Sequence, residues 1–108
     1  MHLAAYDGKL EVVKYLKSVG ADIHAKNNNG NTPLHSASRN GHLEVVKYLK
    51  AVGADIHAKA IDGWTPLHEA SHERNLEVVK YLISVGADIH AKDDDGWTPL
   101  HDGHLEVV

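Results

Sequence analysis

The chain repeats itself every 33 residues, and that period limits what it can fold into more than any other feature. Gly30, Gly63 and Gly96 open the phrases GNTPLH, GWTPLH and GWTPLH. The phrase LEVV recurs from Leu10, Leu43 and Leu76, and VGADIHAK from Val19, Val52 and Val85. Residues 30–62 and 63–95 agree at 23 of 33 positions without a gap. Three interleaved phrases in one phase mean a stacked array of a single supersecondary unit.

The unit has a physical reading. Thr32, Thr65 and Thr98 stand just before Pro33, Pro66 and Pro99. A threonine hydroxyl caps orphan helix N–H groups, and proline at the first helical position sacrifices no hydrogen bond. A first helix of about nine residues is therefore expected at each TP, closing near Gly8 and Gly41 in the first two units. The second helix is LEVVKYLKSV, LEVVKYLKAV or LEVVKYLISV. In the middle copy Leu43, Val46, Leu49 and Val52 share one face. Glu11/Lys14, Glu44/Lys47 and Glu77/Lys80 are i, i+3 pairs facing outward. Gly20, Gly53 and Gly86 stop this helix, and the polar stretches NNNGN, AIDGW and DDDGW suit a β-turn leading to the next unit. One unit cannot bury its apolar side alone, so neighbours must cover each other, with Ala54 and Ile56 sealing a junction.

Taken together, TPLH, GHLEVV and GADIHA resemble the ankyrin-repeat signature, and the resemblance covers essentially the whole chain. It implies an all-α fold, a solenoid of stacked antiparallel helix pairs with projecting β-turn or hairpin fingers. Residues 1–108 would form one domain, with partial repeats at about 1–26 and 93–108 flanking full ones at 27–59 and 60–92. The resemblance also implies a non-catalytic module that binds another protein through the finger tips and the concave face of the first helices. An intracellular location, cytoplasmic or nuclear, follows from the same resemblance alone.

Four departures from the family pattern stand out. The chain starts mid-repeat, with Met1 where TPLH has Leu. Near the other end TPLH runs straight into DGHLEVV, four residues fewer than over 32–46, which either shortens the last first-helix to about one turn or marks a break in the chain. His24, His57 and His90 occupy a position usually held by Asn. Arg74 replaces the helix-ending Gly of the third unit, which makes Asn75 the expected turn residue.

Carried over position by position, the resemblance implies a contact surface. The finger tips supply Asn28, Asn29 and Asn31, then Ile61, Asp62 and Trp64, then Asp94, Asp95 and Trp97. The ends of the first helices supply Tyr6 and Asp7, Arg39 and Asn40, and His72 and Glu73. The two full repeats differ most from each other at these positions, while the framework stays fixed. Ile61, Trp64 and Trp97 are the expected anchors; Trp, Tyr and Arg are the residue types enriched at binding hot spots. The competing expectation is that each Trp packs on its own hairpin. A different class of reading is a near-consensus scaffold, structural or engineered, with no evolved partner, self-associating weakly through ends that lack a polar cap.

Composition narrows the remaining classes. The net charge is −4 with signs alternating along the chain, which disfavours nucleic acid and anionic membranes as partners, despite a short basic ladder of Lys26, Lys59 and Lys92. With no cysteine, disulfides, thiolate metal sites and thiol nucleophiles are excluded. No apolar run approaches the roughly 20 residues of a membrane helix, and MHLAAYDGK lacks the features of a secretion signal. Six of the ten histidines fall into two ladders, His35/His68/His101 and His24/His57/His90, whose rungs are expected about 10 Å apart. That is too far for one zinc ion, so structural hydrogen bonding is expected and no metal. Asp93-Asp94-Asp95-Gly96 looks like a calcium loop but has Ala91 and Asp102 where that loop needs its end ligands, so it reads as a solvated turn. Glu69 and Glu73 share a helix face and read as surface charge. No nucleophile elbow or phosphate loop is present, so no catalytic residue and no cofactor is expected.

Overall fold

A computed structural model describes residues 1–100. The expectations attached to His101, Asp102 and the rest of 101–108, the shortened last helix among them, lie outside the described residues. Six helices follow in order: α1 (His2–Tyr6), α2 (Leu10–Ser18), α3 (Pro33–Arg39), α4 (Leu43–Ala51), α5 (Pro66–His72) and α6 (Leu76–Ser84). No strand occurs among the described residues. The odd-numbered helices form an inner layer and the even-numbered ones an outer layer, each packing on the next helix of its own layer. This is the all-α solenoid the repeat implies.

The inner helices start where the TP phrase places them. The Thr32 hydroxyl accepts from the His35 backbone N–H at 3.4 Å, and His35 Nδ1 accepts from the Thr32 backbone N–H at 3.1 Å. Thr65 and His68 repeat this reciprocal box. It satisfies orphan donors at both ends of the first turn. The inner helices α3 and α5 span seven residues, shorter than the nine expected, because a Schellman closure stops them early. In α3 the Gly41 N–H reaches the Ser38 carbonyl and the His42 N–H the Ala37 carbonyl. Gly41 sits at φ +73°, and a Cβ there would lie 2.9 Å from Asn75 Oδ1 of the next unit. Glycine is favoured on both counts.

The third unit corrects one expectation. Arg74, not Asn75, takes the left-handed turn position, at φ 59°. The Arg74 N–H bonds to the Ser71 carbonyl and the Asn75 N–H to the Ala70 carbonyl, which is the same closure without glycine. Asn75 instead precedes α6, and its Nδ2 donates to the carbonyls of Ser38 and Arg39 at 3.0 and 2.7 Å. Its amide is thus held by the neighbouring unit, which leaves the turn to Arg74.

The core runs unbroken through the units. Ala37 and Ala70 of the inner helices, Val46, Val79, Leu49 and Leu82 of the outer ones, and Leu34 and Leu67 are essentially inaccessible. Alanine on the inner helices lets the layers approach closely, and the β-branched and leucine side chains fill the space between them. Ala54 and Ile56 are buried at their junction as expected. Of the three expected outward Glu/Lys pairs, only Glu11–Lys14 comes within salt-bridge range, at 3.8 Å. Lys14 and Lys47 also lie 5.9 Å from the ring centres of Tyr48 and Tyr81 on the following unit.

Candidate protein-binding surface

Each finger is a tight turn closed by backbone bonds. The N–H groups of Asn27, Ala60 and Asp93 donate to the carbonyls of Asn31, Trp64 and Trp97 at 3.0, 2.9 and 2.9 Å. Successive fingers are joined by Ile61 N–H to Asn29 C=O and Asp94 N–H to Asp62 C=O, both at 3.0 Å. At Gly30 (φ +76°) a Cβ would meet the Ile61 nitrogen at 2.9 Å, so the close approach of fingers needs glycine. Side-chain carbonyls and carboxylates rigidify the turns. Asn27 Oδ1 accepts from the N–H groups of Asn29 and Asn31, and Asp93 Oδ1 from those of Asp95 and Trp97. Ala60 cannot do this, and there Asp62 Oδ1 accepts from the Trp64 N–H at 3.0 Å. The Asp93–Asp95 run is therefore a turn with its first carboxylate already occupied.

A ladder of imidazoles bolts each inner helix to the finger that follows. His2, His35 and His68 reach the carbonyls of Asn31, Trp64 and Trp97 through Nε2 at 2.9, 2.8 and 3.0 Å. Because His35 Nδ1 accepts from the Thr32 N–H, its proton sits on Nε2 and donates to the carbonyl. Burial lowers the His35 pKa below 6.5, against the raising effect of the Trp64 carbonyl, so this neutral form persists. The expectation of structural hydrogen bonding holds for His35 and His68. For His24, His57 and His90 it does not: their rings are exposed, and only their backbone N–H groups are held, by Asp22, Asp55 and Asp88 at 2.8 Å. Among the described residues no three His, Asp or Glu side chains gather as a metal site would require.

The expected contact residues divide into two depressions and a rim. Trp64, His72, Asp95 and Trp97 line one depression of about 290 Å³. Tyr6, Asn29, Asn31 and Arg39 line a second of about 170 Å³. Asn28, Ile61, Asp62 and Asp94 form the exposed rim of the fingers, with Ile61 at 74% exposure. Asp7, Asn40 and Glu73 cap the ends of the inner helices. Asn40 is engaged in the framework, its Nδ2 donating to the Tyr6 carbonyl at 2.9 Å. The two tryptophans differ. Trp64 is half-buried, stacks on His68 at 5.8 Å, meets His72 edge-on at 5.2 Å, and donates its indole N–H to Asp93 Oδ2 at 2.9 Å. Trp97 is 45% exposed.

Two members of these depressions were not anticipated. Asp93 ties Trp64 to the next finger. Burial works to raise its pKa, but the hydrogen bonds from Trp97, Trp64 and Asp95 together hold it below the ordinary aspartate value. Glu69, expected as surface charge, is 8% exposed and lines the second depression. Burial, reinforced by Asp62 and Glu73 and opposed by Arg39, pushes its pKa up to about 7. Its register carried no signal of this, for Glu69 aligns with Leu3, which is 72% exposed, and with the half-buried Ser36.

No helix among the described residues is long and apolar enough to cross a membrane. No curated protein matches the chain. A family model described as ankyrin repeats, in three copies, matches residues 1–93 and 53–108. Ankyrin repeats are generally non-enzymatic modules of protein–protein interaction. With capped inner helices, bolted fingers and a match along its whole length, the chain belongs to the ankyrin-repeat family.

Proposed function

We propose that this chain binds another protein across its finger rim and the two depressions behind it. The observation that carries the reading is the division of labour within the repeat. Capping Thr/His pairs, turn residues and core side chains recur from unit to unit, whereas Asn31/Trp64, Arg39/His72 and Asn28/Ile61/Asp94 vary at equivalent places on one surface. A preorganised surface loses little conformational entropy on association. Ile61 and Trp97, both large and exposed, are the anchors, and Trp64 supports them from behind. Affinity capture from cell extract with the full chain, against an Ile61→Ser/Trp97→Ala version, tests the reading. Hot-spot truncation weakens binding by roughly 30-fold or more, so the captured protein should be lost while the melting temperature holds. Equal capture by both versions would refute the assignment. Trp64 is left in place because its removal would break the Asp93 bond and disturb the finger.

Self-association is a second reading with an observation of its own. Val12, Tyr15 and Val19 are 46%, 65% and 61% exposed, whereas Val45 and Val78, the counterparts of Val12, are each at 1%. A second copy laid on the outer face of α1 and α2 would cover them.

A further inference from the structure

We propose that the depression over Asn31 is a receptor pocket for an arginine side chain presented by a protein partner. The proposal deepens the reading of the chain as a protein-binding module and rests on it. Asn31 stands where the next two units have Trp64 and Trp97. The Trp64 indole covers His68 and His72 of its own unit and is anchored by Asp93. One unit earlier the matching shelf is His35 and Arg39, the matching anchor is Ala60, and no indole covers it. What remains is the depression of about 170 Å³, lined by Tyr6, Asn29, Asn31, His35, Arg39 and Glu69. A cavity of ~150 Å³ is enough to hold a benzene ring, so the space suits one flat group.

The walls of the pocket specify what that group must be. Glu69 is more than nine-tenths buried, yet its carboxyl makes no hydrogen bond or salt bridge among the described residues. Asn31 Oδ1 is buried and has no partner there either. Both nitrogens of His35 are already engaged, by Thr32 and by the Trp64 carbonyl. The pocket thus offers a buried acceptor that nothing satisfies, Asn31 Oδ1, beside a carboxyl whose charged form burial disfavours, and leaving a buried acceptor unmet is costly. An apolar or aromatic side chain would fill the volume and leave that cost in place. A guanidinium is flat, carries five donors and no acceptor, and forms paired bonds to carboxylates. The half-exposed Tyr6 ring supplies a face on which it can lie. Around the pocket, Asp62 and Glu73 add negative charge, and Arg39 is the cation that opposes it, exposed and forming no salt bridge with Glu69.

The test is an amide NMR titration of the full chain with N-acetylarginine amide, using N-acetylcitrulline amide as the neutral shape control. Saturable shifts at Tyr6, Asn31 and Glu69 are expected with the arginine compound alone. Glu69→Gln should weaken binding roughly ten-fold, the effect of one charge-assisted hydrogen bond. Asn31→Trp, which installs the residue that the other two units already carry, should abolish binding and leave the fold intact. Binding should also tighten several-fold from pH 6 to pH 8 as Glu69 ionises; His35, Arg39, Asp62 and Glu73 are the other titratable groups that face it. Equal shifts with citrulline, shifts that survive Asn31→Trp, or no saturable shift at all would overturn the pocket. Partner capture that depends on Ile61 and Trp97 while arginine fails would leave the binding module standing without this pocket. Saturable arginine binding without capture would do the reverse.

Discussion

Arg74 holds a left-handed conformation that costs a residue with a Cβ about 1–2 kcal/mol. Gly41 adopts the equivalent turn without that cost. Arg74→Gly is expected to stabilise the chain by roughly 1 kcal/mol, after the greater freedom of glycine in the unfolded chain is subtracted; thermal or urea melts would register it as a raised midpoint, and a lowered one would contradict the strain. Glu69 makes a pH-dependent prediction. Its folded pKa of about 7 lies above the ordinary 4.5, so the folded chain binds the extra proton between those values. Stability from this group is therefore full below about pH 4.5 and lost as pH rises through 7. Relative to the parent, Glu69→Gln should gain roughly 2 kcal/mol between pH 4.5 and 8, and parallel melts that differ equally at both pH values would rule the buried carboxyl out. His35 works oppositely: its lowered pKa means stability is lost as pH falls below about 6.5, in parent and variant alike. Neither residue could be weighed from spacing alone. Spacing marked Arg74 as a substitution in a glycine place but could not foresee that the Asn75 amide would be held by Ser38 and Arg39.

At the scale of the elements, most of the fold was legible because the signals are local. TP marks each inner helix through a hydroxyl cap and a fixed proline φ, and both appear in α3 and α5. The LEVV phrase marks the outer helices through periodicity, and α2, α4 and α6 all begin at its leucine. Less legible were the features set by the neighbouring unit. The equal spacing of the two histidine ladders suggested equal roles, yet one is buried against carbonyls and the other lies in solvent, because only the first sits on a helix facing a finger. Trp64 and Trp97 occupy equivalent places in the repeat, yet Trp64 is half-buried and bonded to Asp93 while Trp97 is 45% exposed. The exchange of Asp93 for Ala60 at the matching finger position decides how a tryptophan there could be anchored, and no single-unit pattern expresses that.

For the whole molecule, the side chains that vary at the finger tips and the ends of the inner helices share one surface, while the recurring cap and core side chains lie inside or between units. That arrangement separates partner binding from association of copies. If the exposed Val12, Tyr15 and Val19 draw copies together, sedimentation over a hundredfold dilution should reveal a change in mass, and an unchanged monomer would remove that reading. The central claim, that the rim and the depressions behind it meet another protein, is tested most directly by hydrogen–deuterium exchange on the captured complex. Protection gained on binding should concentrate in residues 27–31, 60–64 and 93–97 and in the inner helices α3 and α5. Protection confined to the outer helices α4 and α6, with the fingers exchanging as in the free chain, would contradict it.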